Sequence, residues 1–403
     1  MKKLILLSLI ATAGIAPLAA QEQTARGFAR VSLSDRFFAE GSNVGDLNRD
    51  GAPDIVAGPY WYEGPEFSRR HELYPPREFD PEEYSDNFFA HVYDFNRDGW
   101  NDVLVIGFPG EEASWYENPR GTEGHWKRHL VYQGVGNESP AWVDLTGDGR
   151  PEIVAVSDSS FAYIQPDWRD PARPWTLHRI TPRGSWQKFT HGLGVGDLND
   201  DGRMDLLEKD GWWEQPASLA GDPVWRKHPA SFGEGGAQMF AYDVDGDGDS
   251  DVVTSLKAHG HGLAWFEQVK RGDTIEFVRH LIMNEKPEEN RYGVAFSQVH
   301  ALALEDMDGD GVRDIVTGKR YWAHGAHGDV DPSGTPVIYW FRTVRRGGAQ
   351  GVDFIPHLID DHSGVGVQVI VADVNGDGLL DVVTSNKKGT NVLLHRKSSS
   401  ETP

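Results

Sequence analysis

One nine-residue pattern, D-x-[D/N/T]-x-D-G-x-x-[D/E], occurs seven times in this chain, beginning at Asp46, Asp94, Asp144, Asp197, Asp243, Asp306 and Asp373. Successive starts lie 48, 50, 53, 46, 63 and 67 residues apart. Each copy follows an apolar stretch and precedes a β-branched one, as in Asp54-Ile55-Val56, Asp251-Val252-Val253 and Asp381-Val382-Val383. Most units continue with an aromatic strand, such as Trp61-Tyr62, Trp115-Tyr116 or Trp212-Trp213, and then with a strand centred on histidine, such as Arg128-His129-Leu130 or Arg279-His280-Leu281. Four short strands per unit, repeated seven times with turn residues between them, predict an all-β fold: a seven-bladed β-propeller with four-stranded blades. The 46 glycines and 23 prolines agree with so many turns.

Composition removes several alternatives. There is no cysteine among the 403 residues, which excludes a disulfide scaffold and a thiolate metal site. The net charge of −23 excludes a binder driven by nucleic-acid phosphates. Fourteen Trp, 12 Tyr and 18 Phe supply ample core material, so disorder is excluded as well. Lys2 and Lys3 precede an apolar run from Leu4 to Ile15, and Ala20 stands before Gln21. Residues 1–20 therefore read as a secretory signal peptide, residues 21–397 as one propeller and 398–403 as a disordered tail. The mature protein is expected to be exported, to the periplasm or beyond, without a membrane span.

The repeat has its own chemistry. Positions 1, 3, 5 and 9 place oxygen ligands around one point, and Gly at position 6 permits the sharp turn, which suits a hard cation such as Ca²⁺. The loop residues are Asp46, Asn48, Asp50 and Asp54; Asp94, Asn96, Asp98 and Asp102; Asp144, Asp148 and Glu152; Asp197, Asn199, Asp201 and Asp205; Asp243, Asp245, Asp247 and Asp251; Asp306, Asp308, Asp310 and Asp314; and Asp373, Asn375, Asp377 and Asp381. Thr146 and Glu152 make the third copy the least typical. Acidic residues at these positions number 23, equal to the whole net charge, so the acidity says little about a partner. The alternative reading is that these are merely Asp-Gly turns.

These motifs resemble the FG-GAP/VCBS-repeat propellers, a family that includes integrin α-subunit heads and many exported bacterial proteins. The resemblance covers residues 28–395. It implies that each cation loop joins the innermost strand, A, to the second strand, B. The aromatic strand is then C and the histidine strand D. Under this phasing Phe28 to Leu33 is a spare strand D, and the last unit lacks one, so the N-terminal strand is expected to complete the last blade and close the ring.

The sixteen histidines fall into two groups. His71, His129, His178, His228, His280 and His357 recur once per unit in strand D, which marks a structural role. Others do not recur. His191 and His300 both stand six residues before their motif Asp, where strand A begins. His259 and His261 lie in the B–C loop of the fifth unit, His324 and His327 in that of the sixth, and His362 in the last D–A loop. All are expected at the end of the axial channel opposite the cation loops. Glu40 and Glu138 share the register of His191 and His300. Assigned by position, the metal ligands are His191, His259, His324, His327 and Glu138, holding Zn²⁺ or Mn²⁺. The catalytic groups are His300, His261, Tyr292 and Lys257. Lys209, Lys319, Arg320, Lys387 and Lys388 also follow strand B and are expected to complete a positive collar. The bland reading is that these are polar loop residues.

Three functions fit this set. The first is a metal-assisted carbohydrate lyase performing dehydration or β-elimination on a keto-sugar. It is similar to the propeller portion of aldos-2-ulose dehydratases and to propeller-type polysaccharide lyases, although the known fungal dehydratases have additional cupin domains for which no residues remain here. The second is a calcium-stapled module that binds carbohydrate or protein without catalysis. The third is a metal-dependent hydrolase.

Overall fold

The computed structural model describes residues 22–23, 27–272, 274–347 and 351–396. The expected leader at 1–20 and tail at 398–403 lie outside them. The described chain is all-β. After β1 (Glu22–Gln23) and β2 (Phe28–Ser34), the strands fall into consecutive antiparallel groups. Unit 1 is β3 (Asn43–Gly45), β4 (Asp54–Ala57), β5 (Tyr60–Tyr62) and β6 (Arg70–Glu72). Unit 2 is β7 (Phe89–Tyr93), β8 (Asp102–Ile106), β9 (Glu111–Glu117) and the first half of β10 (Lys127–Val143), whose second half opens unit 3. Unit 3 continues with β11 (Glu152–Ser157), β12 (Ser160–Gln165) and β13 (Thr176–Arg179). Unit 4 is β14 (Leu193–Gly196), β15 (Asp205–Glu208), β16 (Gly211–Glu214) and β17 (Arg226–Pro229). Unit 5 is β18 (Gln238–Tyr242), β19 (Asp251–Ser255), β20 (Leu263–Arg271) and β21 (Thr274–Met283). Unit 6 is β22 (Val299–Glu305), β23 (Asp314–Lys319), β24 (Ile338–Arg345) and β25 (Val352–Asp360), with the short helix α1 (Gly325–Gly328) before β24. Unit 7 is β26 (Val369–Ala372), β27 (Asp381–Asn386) and β28 (Gly389–His395), and β2 pairs with β28 as its fourth strand.

The strand after each loop explains the D-I-V pattern. Every residue of β4, β8, β11, β15, β19, β23 and β27 is buried, because these strands are packed on both faces. The core lies between units and not within them. One cluster packs Phe38, Ile55 and Tyr62 of the first unit against Val374, Val383 and Val392 of the last. Another packs Ile315 and Phe341 of unit 6 against Val253 and Trp265 of unit 5. Innermost strands touch in order, β14 pairing in parallel with β18. Gln238 of unit 5 bonds to Val367 before unit 7 (3.0 Å), and Gln368 bonds to Ala90 of unit 2 (3.1 Å).

The loops join strand A to strand B. The glycine at position 6 has φ between 81° and 97° in all seven, a conformation that a side chain disfavours. Position 9 does more than close a loop. It is buried in every copy, and it accepts an N–H from position 2, as Asp54 does from Leu47 (2.7 Å) and Asp314 from Met307 (3.2 Å). Except in the third copy it also accepts an N–H from strand C or just beyond, as Asp102 does from Asn118 (2.8 Å). It therefore ties three strands together. Burial pushes these carboxyls up, to about 7 at Asp102, Glu152, Asp205, Asp251 and Asp314 and to about 6 at Asp54 and Asp381. In the third copy Glu152 takes bonds from Thr146 (3.2 Å) and Gln165 (3.2 Å) instead. In the two loops with four carboxylates, oxygens of Asp243, Asp245 and Asp251, and of Asp306, Asp308 and Asp314, lie within 4.8 Å of one another, spacing that fits a shared cation.

The recurring histidines are structural in a specific way. Each stacks on the aromatic residue opposite it in strand C: His71 on Trp61 (4.1 Å between centroids), His129 on Trp115 (4.3 Å), His178 on Tyr163 (4.7 Å), His228 on Trp212 (4.0 Å), His280 on Trp265 (4.5 Å) and His357 on Trp340 (4.6 Å). In unit 7 the pair is exchanged, His395 of β28 stacking on Phe28 of β2 (4.4 Å).

Candidate metal and ligand site

The opposite ends of the innermost strands carry the site. Glu138 lies in β10, His191 two residues before β14, His300 in β22, and His259 between β19 and β20. Their ligand atoms all lie within 4.8 Å of one another. His191 Nε2 is 2.9 Å from His259 Nε2, 3.3 Å from His300 Nε2 and 3.5 Å from Glu138 Oε2, and His300 Nε2 is 3.2 Å from the same oxygen.

Local irregularity brings them together. The pairing of β10 with β11 slips between Gly136 and Ala141, around Glu138, and that of β22 with β23 slips between Val299 and Leu302, around His300. Such bulges re-aim a side chain that would otherwise follow the pleat. Asn137 (φ 76°) and Gln298 (φ 57°) hold left-handed conformations beside the same two residues, a cost expected where geometry serves a site. Glu138 N donates to Thr190 O (3.0 Å), which ties the segment of one ligand to that of His191.

The charges around the cluster are specific. Arg320 follows β23 and is 2% exposed. It pairs with buried Glu40, and its Nη1 donates to His300 Nε2 (3.0 Å). A guanidinium only donates, so His300 Nε2 presents a lone pair. Burial, with Arg320 beside it, holds this imidazole well below the usual range, and it is neutral. Burial raises the Glu138 carboxyl, but the imidazoles of His191 and His300 against it outweigh that and hold it well below the usual range. The Nε2 of His191 carries at most one proton and faces three acceptor-type atoms. Hydrogen bonding alone cannot satisfy this convergence.

A divalent metal would satisfy it. Tetrahedral Zn²⁺ with bonds of about 2.0–2.1 Å separates its ligands by about 3.3–3.4 Å, and the observed separations bracket that value. His191, His259, His300 and Glu138 form a complete donor set of suitable type. Asp329 supports it from outside: its Oδ1 lies 3.3 Å from His259 Nδ1 and accepts from His324 Nδ1 at 2.8 Å. Burial raises Asp329, but the His259 imidazole beside it and the bond from His324 hold it far below the usual range, and that bond raises His324.

The cluster opens into a cavity of 380 Å³ lined by Tyr84, Phe88, Phe108, Glu138, Phe189, His191, His259, Arg320, Ala323 and His324. The Tyr84 phenol is raised by burial.

Several expected residues stand elsewhere. His324 stands at the edge of the cluster: its ring lies 4.6 Å from that of His259, and its Nδ1 bonds Asp329, the three offering a second group of ligand atoms within 4.8 Å of one another. His327 is exposed in α1. His261, one residue past a glycine from His259, faces Glu285, Lys319 and Asp331. Tyr292 is 41% exposed and donates to Asp353 (2.7 Å), held there by a loop that leans on β25. Lys257 is exposed and paired with Glu234 (2.8 Å). The positive collar does not form. Lys209 pairs with Asp210 (2.5 Å), Lys319 turns to Ser297 (2.6 Å), and Lys388 lies over Tyr321. Arg320, Lys319 and Lys387 are the buried members of that set, Lys387 over the Tyr84 ring (4.6 Å). Sequence reading overlooked Tyr84, Asp329 and the phenylalanine walls, which come from stretches without periodicity.

Comparison with known proteins gives one sequence match. Residues 94–155, which contain the second and third loops, match the FG-GAP-like repeat. No curated protein sequence matches the chain. Three solved structures are similar in outline. An Agrocybe aegerita lectin described as recognising non-reducing terminal N-acetylglucosamine has 15% identity and a TM-score of 0.34, over 88% of this chain and 85% of the other. The rhamnogalacturonan lyase YesW has 13% identity and a TM-score of 0.40, over 94% and 74%. The Vibrio cholerae biofilm matrix protein Bap1 has 10% identity and a TM-score of 0.43, over 91% and 89%.

Proposed function

We propose that the chain is an exported, metal-dependent carbohydrate lyase on a closed seven-bladed β-propeller of the FG-GAP type. Ring closure is supported by β2 completing unit 7 and by the apolar cluster shared between units 7 and 1. Calcium in the loops is supported by their carboxylate spacing, most directly in units 5 and 6. The observation that carries the catalytic reading is the convergence of three imidazole Nε2 atoms and one carboxylate on one point, at the floor of a cavity.

A Zn²⁺ or Mn²⁺ ion held by Glu138, His191, His259 and His300 would polarise a substrate carbonyl as a Lewis acid, taking its oxygen as a fifth ligand. The remaining groups then divide the proton work. His324, oriented by Asp329 through Nδ1, presents Nε2 as the base that removes a proton α to the carbonyl. Arg320 sits where negative charge develops on oxygen. Tyr84 supplies the proton to the departing β-oxygen, which leaves as water or an alcohol while the carbon–carbon double bond forms. The aromatic walls suit the apolar face of a sugar ring, and the keto-sugar class follows from the family resemblance.

The test is metal content together with product. Purified mature protein should hold about one transition metal per chain by mass spectrometry, and His300→Ala should lose it. Incubation with keto-sugars should yield an ultraviolet-absorbing unsaturated product. Metal with water-cleaved, saturated products would make the protein a hydrolase; no transition metal would leave a binding module.

A further inference from the structure

We infer that Lys188 and Phe189 form the entrance to the cavity and select a ring substrate that bears a carboxylate. The inference rests on the catalytic reading above, since it assigns the reacting end of that substrate to the cluster and the anionic end to the rim.

Phe189 lines the cavity yet is 39% exposed, and it meets Phe108 edge-on at 5.6 Å. A large ring left half in water at a cavity mouth is a surface for a ligand to cover. Lys188 Nζ lies over both rings, 4.8 Å from the Phe189 centroid and 5.4 Å from that of Phe108. No carboxylate pairs with it among the described residues, whereas Lys257, Lys209 and Arg320 near the same face each have an acidic partner. In a chain with 62 acidic and 39 basic residues, an unanswered ammonium at a cavity rim is an unused anion site.

The position is built. A Cβ at Gly110 would stand 2.6 Å from Lys188 Cδ, and one at Gly136 would stand 2.8 Å from Lys188 Cα. The lysine stem is thus seated over two glycines. Lys188 O accepts from Asn137 N (2.8 Å), next to Glu138, and three residues later the same segment supplies His191. Three residues reach at most about 10 Å, so rim and floor are within reach of one small oligosaccharide.

The experiment uses the metal-loaded mature protein on an array of neutral and uronic-acid-containing oligosaccharides. Calorimetry then compares the best carboxylated ligand with its methyl ester. The expected result is retention of carboxylated members, about tenfold weaker binding of the ester, and loss of that difference in Lys188→Met with metal content unchanged. The preference should weaken as salt rises. Retention of neutral sugars alone, of none, or an undiminished preference in Lys188→Met overturns the inference. Metal content read in parallel separates the two claims. A metal-free protein that still prefers the acid sinks the catalytic reading, while a metal-loaded one that prefers neutral sugars sinks this one.

Discussion

His228 and His300 are the same residue in two settings. His228 recurs in the outer strand of its unit, lies flat on Trp212 and places Nε2 2.7 Å from Glu214. His129 and His280 repeat the arrangement with Glu117 and Glu267. Each has a ring face and a nitrogen fully occupied by its own unit. His300 has neither stacking partner nor acid of its own unit. Its Nε2 meets three side chains from other segments, His191, Glu138 and Arg320, and its buried Nδ1 has no hydrogen-bond partner among the described residues. What repeats serves the fold. What breaks the repeat, through two bulges and two left-handed residues, serves the site.

The largest contrast should come from paired substitutions. His300→Ala should abolish transition-metal retention and lower elimination activity by about a hundredfold or more, whereas His228→Ala should keep the metal and lose about 1–2 kcal/mol of stability. Metal loss in both, measured by mass spectrometry, would erase the distinction. Chelation comes next. Removing calcium at pH 8 should lower Tm by about 10 °C or more, through several linked sites. The pH dependence of the chelated protein has a definite sign. The position 9 carboxyls are raised to about 6–7, so folding retains protons there, and their stabilisation fades as pH climbs from about 4 through 7. His91, lowered to about 4 by burial, and His300 act oppositely below pH about 6.5. Seven carboxyls outweigh them, so calcium-free protein should melt higher at pH 5 than at pH 8, and calcium should remove that preference. A thermal scan showing the reverse would reject calcium-type loops.

Smaller effects refine the comparison. Asp329→Asn should weaken metal affinity or activity by about 10–100-fold while leaving the fold intact. Tyr292→Phe and Lys257→Ala should change stability by less than about 0.5 kcal/mol and leave metal content untouched, because both side chains are spent on Asp353 and Glu234.

The strand plan was readable because it is periodic: the loops, the buried strands after them, the His–aromatic pairs and the use of Phe28–Leu33 as a last strand all follow from register. So did the meeting of Glu138, His191 and His300, which share one position at the start of strand A. Loop residues were harder. Neighbours such as His259 and His261 separate because the chain turns between them, Gly260 N donating to Lys257 O (3.0 Å), where an extended segment would have put both on one face, and neither spacing nor composition states which one turns inward. Tyr84, Asp329 and Lys188 belong to irregular segments whose paths are set by contacts made only after folding. The expected lysine collar failed for a simpler reason. In so acidic a chain most lysines at strand ends find a nearby carboxylate first, as Lys209 and Lys257 do.

The central claim is that a transition metal sits among the three imidazoles and Glu138. Crystals of the untreated mature protein, measured on both sides of the zinc and manganese absorption edges, address it directly. The account predicts one anomalous peak about 2.0–2.3 Å from the Nε2 atoms of His191, His259 and His300. A featureless map at that point, with Arg320 bridging His300 and Glu138 instead, would contradict it.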